Sequence, residues 1–252
     1  MKLFHQKKFS LVALALFTFF SPAFSETAAL PPHPRLLINS NGLAELRERI
    51  ASAPWAKASW NVLKLSAELN LLGPVRLPPR GGNWSHNYVC PVHGARLELG
   101  GKISEWQWEH ICPVDHQVFR GDPSKATLDF DGNTIAVIHG NFAQQVLDDG
   151  LVFQMTGDAR YAQRAREILL AYAGKYLSYP MHDNQGRTGG KRGGRVASQA
   201  LTEASWLITL LQGADLVSRW IIHPAELPVG AVTAVVGGIY LVALLWRRSR
   251  HE

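Results

Sequence analysis

The strongest constraint on this chain is an apolar run near its end. Residues 229–246, VGAVTAVVGGIYLVALLW, carry no charged side chain. As a helix rising about 1.5 Å per residue they are long enough to span the hydrocarbon core of a bilayer. Arg247, Arg248 and Arg250 follow at once, a basic flank of the kind that holds a helix end in the cytoplasm. The run predicts a transmembrane helix with the body of the protein on the far side. The competing reading, a buried core helix, is disfavoured by the all-round apolar character and the abrupt basic flank.

The other end agrees with that orientation. Lys7 and Lys8 precede the apolar stretch 9–20 (FSLVALALFTFF); Pro22 breaks it, and Ala23-Phe24-Ser25 places small residues before Glu26. This is the pattern of a secretory signal peptide over 1–25, and the apolar stretch is short for an uncleaved anchor. The sequence thus predicts an exported body, anchored in the inner membrane on its periplasmic side, with a cytoplasmic C-terminus. Export also puts Cys90 and Cys112 in an oxidising compartment.

The formal charge of +6 over 252 residues invites a nucleic-acid reading, which its distribution excludes. Three charges sit on Lys2, Lys7 and Lys8, and a net two in the tail after residue 246, which leaves one for the middle. The basicity serves targeting and topology, and no basic recognition helix is present.

Between the two ends the pattern is helical, interrupted once. Pro31, Pro32 and Pro34 stiffen the entry, and Arg35-Leu36-Leu37-Ile38 suits a short strand. Asn39 and Ser40 offer N-caps for a helix carrying Leu43, Leu46 and Ile50, and 55–72 reads as a second helix. From 73 to 131 prolines, glycines, aromatics and histidines dominate and the periodicity disappears. An irregular or β-rich insertion of that length needs a staple. Helices resume near Thr134, where Ile135, Ile138, Phe142 and Val146 form one stripe; Gly157-Asp158 is a turn, and Ala162, Ala165, Leu169 and Tyr172 recur at spacings of three and four. After Pro180 comes a glycine-rich loop with Arg187, Lys191, Arg192 and Arg195, then a helix expected over 196–217. Antiparallel helices joined by short turns suggest an α-hairpin array.

Two motifs could carry chemistry. Cys90-Pro91-Val92-His93-Gly94 is answered by Cys112-Pro113-Val114-Asp115-His116. Cys90, His93, Cys112 and His116 could supply four tetrahedral zinc ligands, and a Cys90–Cys112 disulfide is the alternative that export favours. Either role is structural. In the second motif Arg195, Gln199, Glu203 and Trp206 lie at helical spacing beside the basic loop. Guanidinium groups match carboxylates and sulfates, and a Trp among polar groups suits a sugar ring. His86, His139, His182, Tyr172 and Tyr179 are possible general bases without a diagnostic neighbour, and no nucleophile elbow, P-loop or dinucleotide fingerprint is present.

Several of these residues resemble known families. His33-Pro34-Arg35-Leu36-Leu37, the helix with Trp55 and Trp60, the two Cys-Pro-Val motifs, and the stretch 194–206 (GRVASQALTEASW) together resemble the N-terminal region of heparinase II/III-like, oligoalginate-type polysaccharide lyases. The resemblance implies an (α/α) toroid and β-elimination on uronic-acid polysaccharides without a required cofactor. It also implies that the catalytic Asn-His pair, Tyr and second His lie further along the toroid than the matched region, so no catalytic residue is carried over. Arg195, Gln199, Glu203 and Trp206 are then cleft-lining, substrate-binding candidates, and the partner is an acidic polysaccharide. The last stretch is different: Gly213-Ala214-Asp215-Leu216-Val217 and the segment 223–234 (HPAELPVGAVTA) resemble the final helices of iron-chelate and cobalamin ABC-importer permeases. The expected architecture is therefore all-α: a signal peptide over 1–25, a partial toroid over 26–217 with a Cys/His insertion at 73–131, and a permease-like segment over 218–252 with its membrane helix at 229–246.

Overall fold

A computed structural model of the protein describes residues 32–190 and 192–221. The signal peptide expected over 1–25, the membrane helix expected over 229–246 and Lys191 lie outside the described residues. Among the described residues no helix is long and apolar enough to cross a membrane.

The described chain is mostly helical with one small sheet. Helix α1 spans Ser40–Ser52, and the Asn39 side chain caps it by accepting from the Gly42 N–H. Helix α2, Pro54–Asn70, starts with a proline at its first position, where no intrahelical N–H is needed. The stretch 35–38 is not a strand. The backbone N–H groups of Arg35 and Leu36 instead donate to one carboxylate oxygen of Asp215, at 2.6 and 2.9 Å, and His33 Nδ1 bonds the other. A buried carboxylate 180 residues away thus takes the donors that a sheet partner would have taken.

The insertion carries a three-stranded antiparallel sheet in sequential order: β1 Glu98–Ser104, β2 Gln107–Ile111 and β3 Val118–Arg120. Its own small core gathers Tyr88, Cys90, Leu97 and Cys112 around Phe130.

Phe130 opens the longest helix, α3, Phe130–Thr156. It begins four residues before the apolar stripe suggests. Asp129 caps it by accepting from the Gly132 N–H, and a two-armed ion pair with Arg80 holds that carboxylate. Asp131, in the first turn, is buried and accepts from the Trp108 N–H (2.9 Å) and from His110 Nε2 (3.1 Å). His110 Nδ1 in turn accepts from the Tyr88 hydroxyl. This chain of buried polar contacts fastens the sheet to the head of α3.

Gly157, in the left-handed region at φ 74°, ends α3, and Asp158 caps α4, Ala159–Lys175. The last helix, α5, covers Ala200–Ile221 rather than 196–217. Helix α3 is central and packs against α2, α4 and α5. The main core lies among α3, α4 and α5, where Phe142, Val146, Ala165, Ile168, Tyr172, Trp206, Leu210 and Val217 come together.

Candidate functional site

The Cys/His motifs meet. Both cysteines are free thiols and buried. The sulfurs and the His93 ring nitrogen lie within 4.8 Å of one another, with His93 Nδ1 3.7 Å from Cys90 Sγ and 3.4 Å from Cys112 Sγ. His116 does not join them. Burial opposes ionisation of the Cys90 thiol, but the backbone N–H groups of His93 and Val92 outweigh it and bring the thiol down to about 7. Burial pushes the Cys112 thiol up, despite N–H donors from Val114 and Asp115; its contacts with Cys90 and the Asp115 carboxylate act in the same upward direction.

The second group of candidates forms the hinge of the body rather than an open face. Residues 196–199 are not helical, and Glu203 meets the N–H groups at their start. Its carboxylate accepts from the N–H groups of Arg195 (3.2 Å), Val196 (2.9 Å) and Ala197 (2.7 Å) and from the Tyr176 hydroxyl (2.8 Å). The Arg195 guanidinium donates to the carbonyls of Leu177 and Tyr179 and lies over the Tyr176 ring. Trp206 is buried and stacks on Tyr176 at 5.9 Å and 7°, while its indole N–H donates to the His139 carbonyl. Gln199 is half-buried at the entrance to α5. Of the four residues, Arg195, Glu203 and Trp206 are therefore engaged in holding the loop, the short turn after α4 and α5 together.

Beside them is a cleft of about 260 Å³ between α3 and α5, lined by His139, Ala143, Gln144, Thr202, Ser205 and Trp206 among others. It offers an aromatic ring, hydroxyls and an amide, and among the described residues no Lys or Arg lines it. His139 was legible only as a scattered histidine. In the fold both of its ring nitrogens are used: Nδ1 accepts from the Tyr172 hydroxyl (2.7 Å) and Nε2–H donates to the Arg80 carbonyl (3.0 Å). Burial, ahead of the repulsion from Lys175, depresses its pKa to about 4, so the ring is neutral and has no free nitrogen for a substrate proton. The Tyr179 hydroxyl donates to the Pro78 carbonyl, and burial pushes it up to about 12; His182 Nε2 bonds the Gly82 carbonyl. His86 sits against Trp84, the ring centroids 4.4 Å apart.

These shifts give a pH dependence. A histidine whose folded pKa lies near 4, below an ordinary 6.5, contributes stability that is present above 6.5 and lost as pH falls through 4, about 3 kcal/mol in all. Asp149 opposes it. Burial raises that carboxyl to about 7, so its contribution is full below about 4 and is lost as pH rises through 7. We expect the His139 ring protons to titrate near pH 4 by NMR. We also expect Asp149→Asn to steepen the acid-side loss of stability; a His139 midpoint near 6.5 would contradict the burial argument.

The glycine-rich loop has its own organiser, which the sequence reading missed. Asp183 accepts from the N–H groups of Gln185 and Arg187, both at 3.0 Å, and its carboxylate pairs with the guanidinium groups of Arg187 (2.8 Å) and Arg192 (3.4 Å). Although burial opposes it, these donors hold Asp183 down at about 2. The local signal was present: an Asp two and four residues before the donors of a Gly-containing turn. Arg187 and Arg192 keep about half of their side-chain surface exposed.

Two kinds of known protein share parts of this chain. It is 35% identical over 79 residues to an exo-oligoalginate lyase of Saccharophagus degradans, covering 31% of this chain and 10% of the relative. It is 37% identical over 79 residues to an alginate lyase of Stenotrophomonas maltophilia, with the same coverage. The FecCD transport family matches residues 193–247. The ferric enterobactin transport system permease protein FepG of Escherichia coli is 43% identical over 58 residues, 23% of this chain and 18% of the relative. The matches thus span about a tenth of the lyases and under a fifth of the permease.

Proposed function

We propose that the body of this protein is the N-terminal helical part of a polyuronate lyase, a partial (α/α) toroid without a working elimination centre, which retains a surface for an acidic polysaccharide. The likeness to two alginate lyases carries this reading. The geometry supports its non-catalytic half. β-Elimination on a uronate needs a group to neutralise the carboxylate, a base and an acid. Among the described residues, the α3–α5 cleft is lined by no Lys or Arg, and the histidine that lines it, His139, is neutral with both nitrogens engaged. Of Arg195, Gln199, Glu203 and Trp206, Trp206 lines this cleft; among the described residues of the neighbouring loop, Arg187 and Arg192 have exposed guanidinium groups able to meet uronates.

In this reading the signal peptide exports the body and the 229–246 helix tethers it, with the C-terminus in the cytoplasm. The permease-family match adds a hint of membrane association.

The test is incubation of the purified full chain with alginate, heparin, chondroitin and hyaluronan. Absorbance from unsaturated uronate should not appear. Alginate oligomers should bind, weakly and less so as salt rises, and Arg187→Ala should weaken that binding several-fold. Product formation would overturn the non-catalytic reading; an absence of binding to every polymer would overturn the glycan surface.

A further inference from the structure

The two Cys-Pro-Val motifs are the same turn made twice. In the first, Cys90 N–H donates to the Ala95 carbonyl (2.7 Å) and Gly94 N–H returns to the Cys90 carbonyl (2.8 Å). In the second, Cys112 N–H donates to the Gln117 carbonyl (2.9 Å) and His116 N–H returns to the Cys112 carbonyl (2.9 Å). The fifth residue is in the left-handed region in both, Gly94 at φ 66° and His116 at φ 60°. The register is therefore fixed: Cys90 corresponds to Cys112, His93 to Asp115, and Gly94 to His116. His116 occupies the position that glycine fills in the first turn, and it is one residue past the ligand position.

The geometry points to a tetrahedral metal site, of the zinc class, made by Cys90, His93, Cys112 and Asp115. It is independent of the glycan reading. Three observations converge on it. The turns aim two backbone N–H groups at each sulfur, those of Val92 and His93 at Cys90 and those of Val114 and Asp115 at Cys112. N–H donors of this kind fix the position of each sulfur from outside, as outer contacts fix metal ligands. Asp115 has a carboxylate oxygen 3.8 Å from His93 Nδ1 and touches the Cys112 thiol. Finally, the spacings suit a shared ion. A tetrahedron with bonds of about 2.0–2.3 Å has edges of about 3.3–3.8 Å, and the His93 nitrogen stands 3.7 and 3.4 Å from the Cys90 and Cys112 sulfurs, the three atoms lying within 4.8 Å of one another; Asp115, 3.8 Å from His93, lies at the edge of that group and would close onto the ion as the fourth ligand. The other Asp115 oxygen already accepts from the Gln117 N–H at 3.0 Å, which orients the carboxylate as an outer contact orients a ligand. Two thiolates, an imidazole and a carboxylate suit zinc and leave no open position, so the ion's role is to close the insertion. Both cysteines are in the small core around Phe130, so the ion would tie the sheet to the head of α3.

The test uses the full chain purified in detergent under reducing conditions, with zinc and cobalt(II) as probes. We expect about one zinc per chain by elemental analysis, thiols that react with a disulfide reagent only after chelation, and an intense tetrahedral cobalt spectrum with sulfur-to-metal charge transfer. Asp115→Ala should weaken zinc binding at least tenfold and reduce the cobalt band, while His116→Ala and His116→Gly should leave both unchanged. The wild-type cobalt spectrum keeps the proposal testable if Asp115→Ala fails to fold. Absence of zinc with freely reactive thiols would overturn it, as would a metal-free Cys90–Cys112 disulfide in chain isolated from the exporting cell. Loss of metal on His116→Ala with Asp115→Ala unaffected would overturn the ligand assignment.

Discussion

Gly213→Leu should destabilise the body by about 3 kcal/mol or more, a fall in melting temperature of roughly 6–12 °C for a unit of this size. Gly213 lies where α5 crosses α3. A Cβ there would stand 2.5 Å from the carbonyl carbon of Val146 and 2.6 Å from the backbone nitrogen of Leu147. Both atoms are main chain inside a helix, so no rotamer change relieves the clash and the helices must separate. Gly150 makes the reciprocal approach from α3, its own Cβ position 2.8 Å from Leu216 Cβ. Separation would open the core beside Val146, Leu216 and Val217, all essentially inaccessible to solvent. The control is Gly140→Ala in the middle of α3, where nothing lies within 4 Å of the new methyl group. That change should stabilise by about 1 kcal/mol through helix propensity alone. Thermal melts of the two variants check the pair, and a Gly213→Leu protein melting within 2 °C of wild type would contradict the close crossing.

The same crossing bears on how the two likenesses share the chain. The FecCD match begins at residue 193, well inside the described body, and includes all of α5. That helix is no appendage. It buries Trp206, Leu210 and Val217 in the main core, and its Asp215 takes the backbone donors of Arg35 and Leu36 at the other end of the body. The permease-like stretch therefore contains a helix that the rest of the described body needs for its packing.

Much of this fold was legible, and the exceptions have a common cause. The caps at Asn39 and Asp158, the turn at Gly157 and the stripe on α4 are local, and local chemistry announces them. The start of α3 was hidden because Asp131, Gly132 and Asn133 read as turn residues. Asp129 and Asp131 become helix-starting residues only when Arg80, Trp108 and His110 are brought to them. Asp215 is a similar case: nothing near it in sequence discloses that its partners are residues 33–36. At the Cys/His motifs the sequence suggested that the two halves converge, and Cys90, His93 and Cys112 do come together. His116 stands outside the group formed by Cys90, His93 and Cys112 because it fills the left-handed fifth position of its turn, a backbone feature that residue type and spacing do not announce.

Glu203 shows the same thing where it matters for function, and it gives the second large effect. Glu203→Ala should lower stability by about 3 kcal/mol. Helical spacing from Arg195 made this residue a candidate for contact with a sugar, on the assumption that 195–203 is one helix. The helix instead starts at Ala200, and the carboxylate reaches back to the N–H groups of Arg195, Val196 and Ala197 and to the Tyr176 hydroxyl. Val196 and Ala197 are buried, so truncation leaves their donors without partner or water. Glu203→Gln keeps one carbonyl acceptor and should lose about half as much. Denaturant unfolding of the full chain in detergent, beside alginate-oligomer binding measured well below the transition, separates the two roles. A structural Glu203 gives a shifted midpoint with binding preserved in Glu203→Gln. A ligand-facing Glu203 gives the reverse, an unchanged midpoint with binding lost in both variants, and that result would return the residue to the cleft.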